Sequence, residues 1–404
     1  MTATRTTLAT PPLWLLVLIT ISGTMAMHMF VPALPDAARG LATGAGEMQM
    51  AISIYIIGLA VGQLFYGPVS DALGRRPMLI AGLALYALGS VGAAFAPGLR
   101  TLLIARLVQA LGGCAGLALG RAIVRDTTRA DSAVRQLALL NLMIMIGPGL
   151  APMVGGAVSS HWGWRAIFVV LSAAGVLTLW FTWRLLPETS TPSGRVGVKP
   201  LLRDYRELVT SPRFVGFALG GGSATTSVYA FLSAAPFIFV DELHQPVHLV
   251  GVYAGMMVLG MAVGNALTSR LARTLSANRL LRIGNTLSLA SAVVLLAIVL
   301  TGHLTVLNAI GVMLFFTCGC GMTSPAALAK AVSVDKRLIG SAAGLYGFTQ
   351  MAIGAGCSAL AAVGADPALS AVVVMVVATG FSQFAFTVAL RRERDAARMV
   401  TEAG

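Results

Sequence analysis

Twelve predominantly apolar runs, each long enough to cross bilayer hydrocarbon as a helix, occupy most of this 404-residue chain. A crossing takes about 20 such residues at about 1.5 Å apiece. The runs lie at approximately 12–34, 46–69, 77–97, 100–123, 134–159, 163–186, 213–240, 247–269, 281–302, 304–328, 338–363 and 367–390. They are continuous rather than alternating, which points to helices and not barrel strands, because a helix satisfies its own backbone where water is absent. With 57% hydrophobic residues, 11% charged residues and a mean hydropathy of +0.83, a water-soluble globular fold is excluded.

Arg5 precedes the first run and small residues surround Ala26, a pattern shared with signal peptides. The run from Leu13 to Leu34 exceeds a signal core, and eleven later spans need a first helix to orient them, so it is read as a span. If the amino terminus is placed in the cytoplasm, 24 of the 28 lysines and arginines fall on that side. Arg39, Arg100 and Arg165 lie at the opposite face and Arg106 within a span. The positive-inside rule therefore assigns both termini to the cytoplasm. Topology accounts for the net charge of +13, and nucleic acid is not implied as a partner.

The longest polar interruption, rich in Pro, Ser, Gly and basic residues, separates six spans from six. The expected organisation is an amino-terminal bundle (1–186), a cytoplasmic linker (187–212) and a carboxy-terminal bundle (213–404). The last of these ends in a solvated basic tail near anionic headgroups. Glycines recur at four-residue spacing, as at Gly58 and Gly62, Gly112, Gly116 and Gly120, Gly260 and Gly264, a pattern that lets helix backbones approach closely. All four cysteines fall inside spans, so no external disulfide is expected. Cys318 and Cys320 point in different directions, and Pro246 interrupts the segment holding His244 and His248, so no metal site is expected. No aspartate cluster, His-Glu metal motif or nucleophile paired with a base lies in the spans, which leaves no catalytic constellation.

Ionisable groups in hydrocarbon are expensive and are retained mainly where they work. Inside the runs only His28 and Arg106 remain, and every one of the fifteen acids falls in a loop or at a span end. Between the second and third runs stands Gly67-Pro-Val-Ser-Asp71-Ala-Leu-Gly74-Arg75-Arg76, where an acid and two arginines can join helix ends by charge-assisted bonds. The fourth run holds Arg106-Leu-Val-Gln109, one turn apart on one face. The fifth holds Gly147-Pro148-Gly149-Leu-Ala151-Pro152-Met-Val-Gly155-Gly156, dense in helix-weakening residues.

These segments resemble the signature motifs of the major facilitator superfamily. Gly67, Asp71, Gly74, Arg75 and Arg76 match its loop motif G-x-x-x-D-x-x-G-R-R/K, with Ala72 where a basic residue often follows. Arg106 and Gln109 match its R-x-x-Q-G motif, with Ala110 for the glycine. Gly147, Pro148, Ala151, Pro152, Gly155 and Gly156 resemble the antiporter motif of its exporters. His28-Met-Phe-Val-Pro32-Ala-Leu-Pro35, Gly120-Arg121-Ala-Ile-Val-Arg125-Asp126, Trp162-Gly-Trp164-Arg165, Leu186-Pro-Glu-Thr189 and Ser341-Ala-Ala-Gly344-Leu-Tyr346-Gly-Phe348-Thr-Gln350 are similar to the bicyclomycin and chloramphenicol resistance branch of its twelve-helix drug:proton antiporters. The resemblance runs from residue 12 to 390. It implies an all-α membrane fold of two pseudo-symmetric six-helix bundles, a monomer in the bacterial inner membrane, and export of small molecules against protons. The proton gradient is then the energy source, and no cofactor is needed. It also implies a cytoplasmic gate including Asp71, Arg75, Arg76, Arg125 and Asp126, and proton coupling at Arg106. Drug efflux and export of an endogenous product such as a siderophore both remain open.

One departure matters. The branch commonly carries an acid where this chain has His28. Counting residues puts His28 and Arg106 at a similar depth, about 9 Å below the outer boundary. His28 is therefore expected to be the protonation site, with Arg106 disfavouring its charged form, although a neutral structural histidine and a structural arginine fit the same residues. Without a buried acid the cavity suits neutral, zwitterionic or anionic cargo better than lipophilic cations. Tyr55, Asn141, Tyr229, Tyr346 and Gln350 are the candidate cavity contacts.

Overall fold

The computed structural model describes residues 11–127, 150–189, 198–272, 274–335 and 337–402, and the elements assigned within them are helical. In the first half these are α1 (Leu13–Phe30), a 3₁₀ turn (Val31–Ala33), α2 (Leu34–Gly40), α3 (Ala45–Leu73), α4 (Arg75–Ala94), α5 (Leu99–Thr127), α6 (150–162) and α7 (Trp164–Leu185). Next comes a short helix, α8 (Val198–Val209), followed by α9 (Pro212–Thr226), α10 (Val228–Phe237) and a π turn (Ile238–Glu242). The chain ends with α11 (Val247–Leu271), α12 (Ala277–Leu300), α13 (Val306–Val332), α14 (Ile339–Ala361) and α15 (Pro367–Glu402). Ten segments among the described residues are long and apolar enough to cross a membrane. The remaining two expected spans are α6, of which 134–149 lies outside the described residues, and α14, whose glycines, serines and Gln350 dilute its apolar character.

Local chemistry explains where the helices depart from the apolar runs. Pro32 and Pro35 lack an N–H, and the first span tightens into the 3₁₀ turn before α2. Gly74 takes a φ of +103°, which lets α3 stop and α4 start within one residue. The expected 213–240 span is broken at Ser227. Three glycines at 220–222 weaken α9, and the Thr225 and Thr226 hydroxyls donate back to the carbonyls of Gly221 (2.6 Å) and Gly222 (2.8 Å). The linker holds α8, which the Pro and Ser content concealed, and the basic tail is helical, with Lys330 of α13 bonded to Glu393 at 2.8 Å.

Glycine contacts reveal the internal repeat. A Cβ built on Gly58 of α3 would meet the Leu107 carbonyl oxygen of α5, and one on Gly260 of α11 would meet that of Leu314 on α13. Gly112 likewise abuts Gly82 of α4, and Gly319 abuts Gly284 of α12. The pairs 58 with 260 and 82 with 284 both differ by 202, and 107 with 314 and 112 with 319 both differ by 207. The packing of α3 and α4 on α5 is therefore repeated in register by α11 and α12 on α13, and Arg106 and Gln109 correspond to Met313 and Phe316. Large apolar side chains such as Leu88, Ile104, Leu259, Phe315 and Phe384 are exposed on outward faces, as lipid contact requires.

The halves meet along α3 and α14, where the Ser53 hydroxyl donates to that of Ser358 at 3.0 Å. At the end bearing Asp36 they are closed. Gly46 abuts the Ala362 carbonyl, Gly251 abuts that of Pro152, and Arg39 lies 3.7 Å from Asp241 as well as pairing with Asp36.

Candidate functional site

Arg106 is fully buried among α1, α3, α4 and α5. Its Nη1 donates to the Ala26 carbonyl at 3.0 Å and to Gln109 Oε1 at 2.7 Å. The Gln109 amide then donates to Ser90 Oγ at 2.8 Å, and that hydroxyl donates to the Tyr86 carbonyl at 2.7 Å. The guanidinium carbon sits 4.0 Å from the Tyr55 ring centre, with Phe30 and Phe168 at 5.4 and 5.7 Å. Tyr55 is fixed by donating to the Gly23 carbonyl at 2.7 Å. Nε and Nη2 of Arg106 have no hydrogen-bond partner among the described residues. The result is a cation sealed in an aromatic cage with three of its five N–H donors unused among the described residues. Such an arrangement is costly to bury and offers bonds to an arriving acceptor.

His28 occupies a separate face. Its Nδ1 lies 2.8 Å from the Thr24 carbonyl, and a carbonyl can only accept, so Nδ1 carries the proton in the neutral ring. Nε2 is left as the atom that can gain one. Ala26, which receives Arg106, precedes His28 by two residues, about 200° around the helix. Thus α1 turns Gly23, Ala26 and Phe30 toward Arg106 and His28 away. The expected contact between the two ionisable groups is absent among the described interactions, and the α1 backbone joins them instead.

At the opposite end from Asp36, Asp71 pairs with Arg75 Nη2 at 2.6 Å, and Arg75 also bonds Ser70 Oγ. The Glu188 carboxylate accepts from the backbone N–H groups of Arg75 (2.9 Å), Arg76 (3.2 Å) and Thr189 (2.9 Å). It caps α4, neutralising the positive end of that helix. Arg76 Nη2 donates to the Trp183 carbonyl at 2.8 Å. These contacts tie α3 and α4 to the end of α7, all in the first half. Glu188 was not singled out in the sequence, although it sits in the Leu186-Pro-Glu-Thr189 match. The side chains of Arg125 and Asp126 lie outside the described residues, as do Asn141, Gly147 and Pro148.

Ala151, Pro152, Gly155 and Gly156 are buried on α6. A Cβ on Gly155 would lie 1.9 Å from the Met29 carbonyl, and the Pro152 carbonyl faces Gly251 of α11. The motif therefore brings α6 against α1 of its own half and α11 of the other. Among the cavity candidates, Tyr55 belongs to the Arg106 cage, and Tyr346 is buried against Gly221 with its hydroxyl unpartnered. Gln350 donates to Thr225 Oγ1 at 2.8 Å and accepts from Thr226 at 2.9 Å on its backbone carbonyl. Half-buried Tyr229 packs on Gly354 and touches the apolar cores of both halves. Gln350 and Tyr229 thus gather at the break between α9 and α10, with Thr225 and Thr226, which the glycine triplet beside a Thr-Thr-Ser run could have disclosed.

Comparison with known proteins bears on the family and the fold. A sequence model described as Major Facilitator Superfamily matches residues 16–359. An uncharacterized MFS-type transporter, YdgK, of Bacillus subtilis is 30% identical over 92% of this chain and 94% of its own. A bicyclomycin resistance protein homolog of Haemophilus influenzae is 26% identical over 81% and 83%, in keeping with the branch suggested by the motifs. The crystal structure of a bacterial homolog of the human lysosomal transporter Spinster superposes with a TM-score of 0.73 at 16% identity, covering 95% of this chain and 96% of that one.

Proposed function

The chain belongs to the Major Facilitator Superfamily and is a multi-pass membrane transporter, not an enzyme; on that premise we propose that it exports small organic molecules in exchange for protons. The domains are the bundles 1–186 and 213–404 joined by the linker 187–212, with both termini in the cytoplasm of a bacterial inner membrane. In that orientation the closed Asp36 end faces outward, and substrate enters from the cytoplasmic side.

The observation that carries the reading is the sign of the buried charge. Arg106 is sealed with two donor nitrogens unused, and no acid is buried among the described residues. Neutral, zwitterionic or anionic cargo meets no repulsion there, whereas a lipophilic cation would find nothing to offset its desolvation. Proton uptake at His28 Nε2 converts an acceptor into a donor on α1, the helix whose other face holds Arg106. The same helix meets α6 at Gly155, which links protonation to a contact reaching the second half. Asp71, Arg75 and Arg76, clamped within the first half, form the cytoplasmic gate when the bundles tilt.

Purified protein in proteoliposomes with an imposed pH gradient tests this. Phenicols, sulfonamides and siderophores should move and lipophilic cations should not. His28→Ala should uncouple export, and His28→Asp should restore it if a titratable group suffices. Robust efflux of a permanent cation would overturn the charge argument, and proton-driven export by His28→Ala would remove His28 from the coupling.

A further inference from the structure

The helix α8 carries two faces of different chemistry. Leu201, Asp204, Tyr205 and Leu208, spaced i, i+3, i+4 and i+7, turn toward the protein. Leu208 is buried, Asp204 accepts from Ser341 of α14 at 2.9 Å, and the Tyr205 hydroxyl donates to the Leu64 carbonyl of α3 at 3.5 Å. The opposite stripe is Lys199, Leu202, Arg203, Arg206 and Val209, spaced i, i+3, i+4, i+7 and i+10, and all five are exposed. It holds three cations and two aliphatic side chains without an acid. Glu207, on its shoulder, is taken by Arg337 at 2.9 Å. Lys199 and Arg203 have no ion-pair partner among the described residues, and with Asp204, Glu207, Arg337 and Leu338 they line a cavity of about 530 Å³, whose two acids are already engaged by Ser341 and Arg337.

Position selects the occupant. The helix lies between the end of α7 at Leu185 and the start of α9 at Pro212, which puts it at the membrane surface. Leu202 and Val209, 60% and 54% exposed, would stand in water on a soluble surface, yet fit the boundary between headgroups and acyl chains. The interleaved cations fit a negatively charged leaflet.

We propose that the outward face of α8 is a docking surface for anionic phospholipid, with a headgroup phosphate held between the unpaired Lys199 and Arg203 and the aliphatic pair resting on acyl chains. Because α8 is bonded to α3 of one half and α14 of the other, the bound lipid acts on the joint between the bundles. The site does not depend on which substrate is carried.

Full-length protein in nanodiscs of phosphatidylcholine, with and without phosphatidylglycerol, provides the test, read by hydrogen exchange of amides 198–209 and by lipids retained in native mass spectrometry. Phosphatidylglycerol should slow exchange in α8 and leave a bound lipid. Each cation is worth about fivefold in affinity, so Lys199→Gln with Arg203→Gln should weaken retention about 25-fold. Leu202→Ser with Val209→Ser should keep the bound headgroup but lose part of the slowed exchange. Tail substitutions Arg391→Gln and Arg392→Gln should change neither readout. Equal exchange in the two lipids would overturn the proposal. So would equal protection by inorganic phosphate in neutral nanodiscs, which would make the cavity a free-anion site.

Discussion

Replacing Arg106 by methionine separates a working cation from a structural one. The substitution removes bonds to the Ala26 carbonyl and Gln109, each worth about 1.5–3 kcal/mol as charged hydrogen bonds, and a stack on Tyr55 worth about 2 kcal/mol. The loss is about 6 kcal/mol. Against it stand the burial penalty of the ion, several kcal/mol, and two unpartnered nitrogens at about 1–3 kcal/mol each. The opposing totals are equal within a few kcal/mol, so the thermal midpoint of Arg106→Met in detergent should stay close to that of the parent while pH-driven export disappears. The fold supplies its own control, since fully buried Met313 occupies the corresponding place in the second half. Gln109 Oε1, left without its donor, should account for any small loss, and the double variant Arg106→Met with Gln109→Phe, copying Met313 and Phe316, should recover it. A structural anchor would cost about 5 kcal/mol, a drop of about 10 °C or more. That result, or retained export, would refute the reasoning.

Glu188→Ala removes the cap of α4 and should lower stability by about 2 kcal/mol, with Glu188→Gln intermediate, measured by thermal melting; an unchanged melt for the alanine variant would show the cap to be idle. Gly116→Val should abolish folded expression, because even a Cβ there lies 2.0 Å from the Ile19 carbonyl, whereas Gly98→Ala, in open space, should express as the parent does by size-exclusion chromatography. Hydrogen bonds from Arg337 hold the Asp335 carboxyl below its ordinary range. A depressed carboxyl favours the folded contact above its unfolded titration point and loses that contribution as pH falls through the lowered one. Hydrogen exchange of the α13–α14 loop should accordingly be unchanged by mild acidification and rise only below the usual carboxylate range.

The spans were legible because a bilayer demands uninterrupted apolar length, and few other structures produce it. Breaks within them were harder to read. Ser227 interrupts an apolar run without a proline or charge at the point of fracture, and the cause lies in hydroxyls bonding to backbone one turn away. The helix α8 was hidden by proline and serine around it, though its stripe of Leu201, Asp204, Tyr205 and Leu208 has helical period. Glu188 is one acid in a loop, and nothing in its spacing announces that its carboxylate accepts from two N–H groups at residues 75 and 76. For His28 and Arg106, counting residues gives depth along a helix but not the direction around it. Two residues separate Ala26 from His28, and those two turn the imidazole from the guanidinium.

The internal repeat distinguishes what the fold requires from what has been added to it. Gly113 of α5 abuts Gly23 of α1, while Cys320, its counterpart on α13, donates to the Ala224 carbonyl of α9 at 3.1 Å. This relates the first helices of the halves by 201 residues and sets Tyr229 opposite His28 in the repeat. Tyr55, 202 residues from Met257, likewise has an apolar counterpart. Since Met257, Met313 and Phe316 pack the second half without a buried ion, the geometry of six packed helices does not call for Tyr55, Arg106 or Gln109. Their retention in one half points to work that packing cannot explain. The counterpart of the titratable group is a half-buried aromatic touching both cores, beside the fracture in its own span. The two halves therefore differ at this position, with the imidazole of His28 on α1 and the aromatic Tyr229 on α10, and the proposed antiport would draw on that difference.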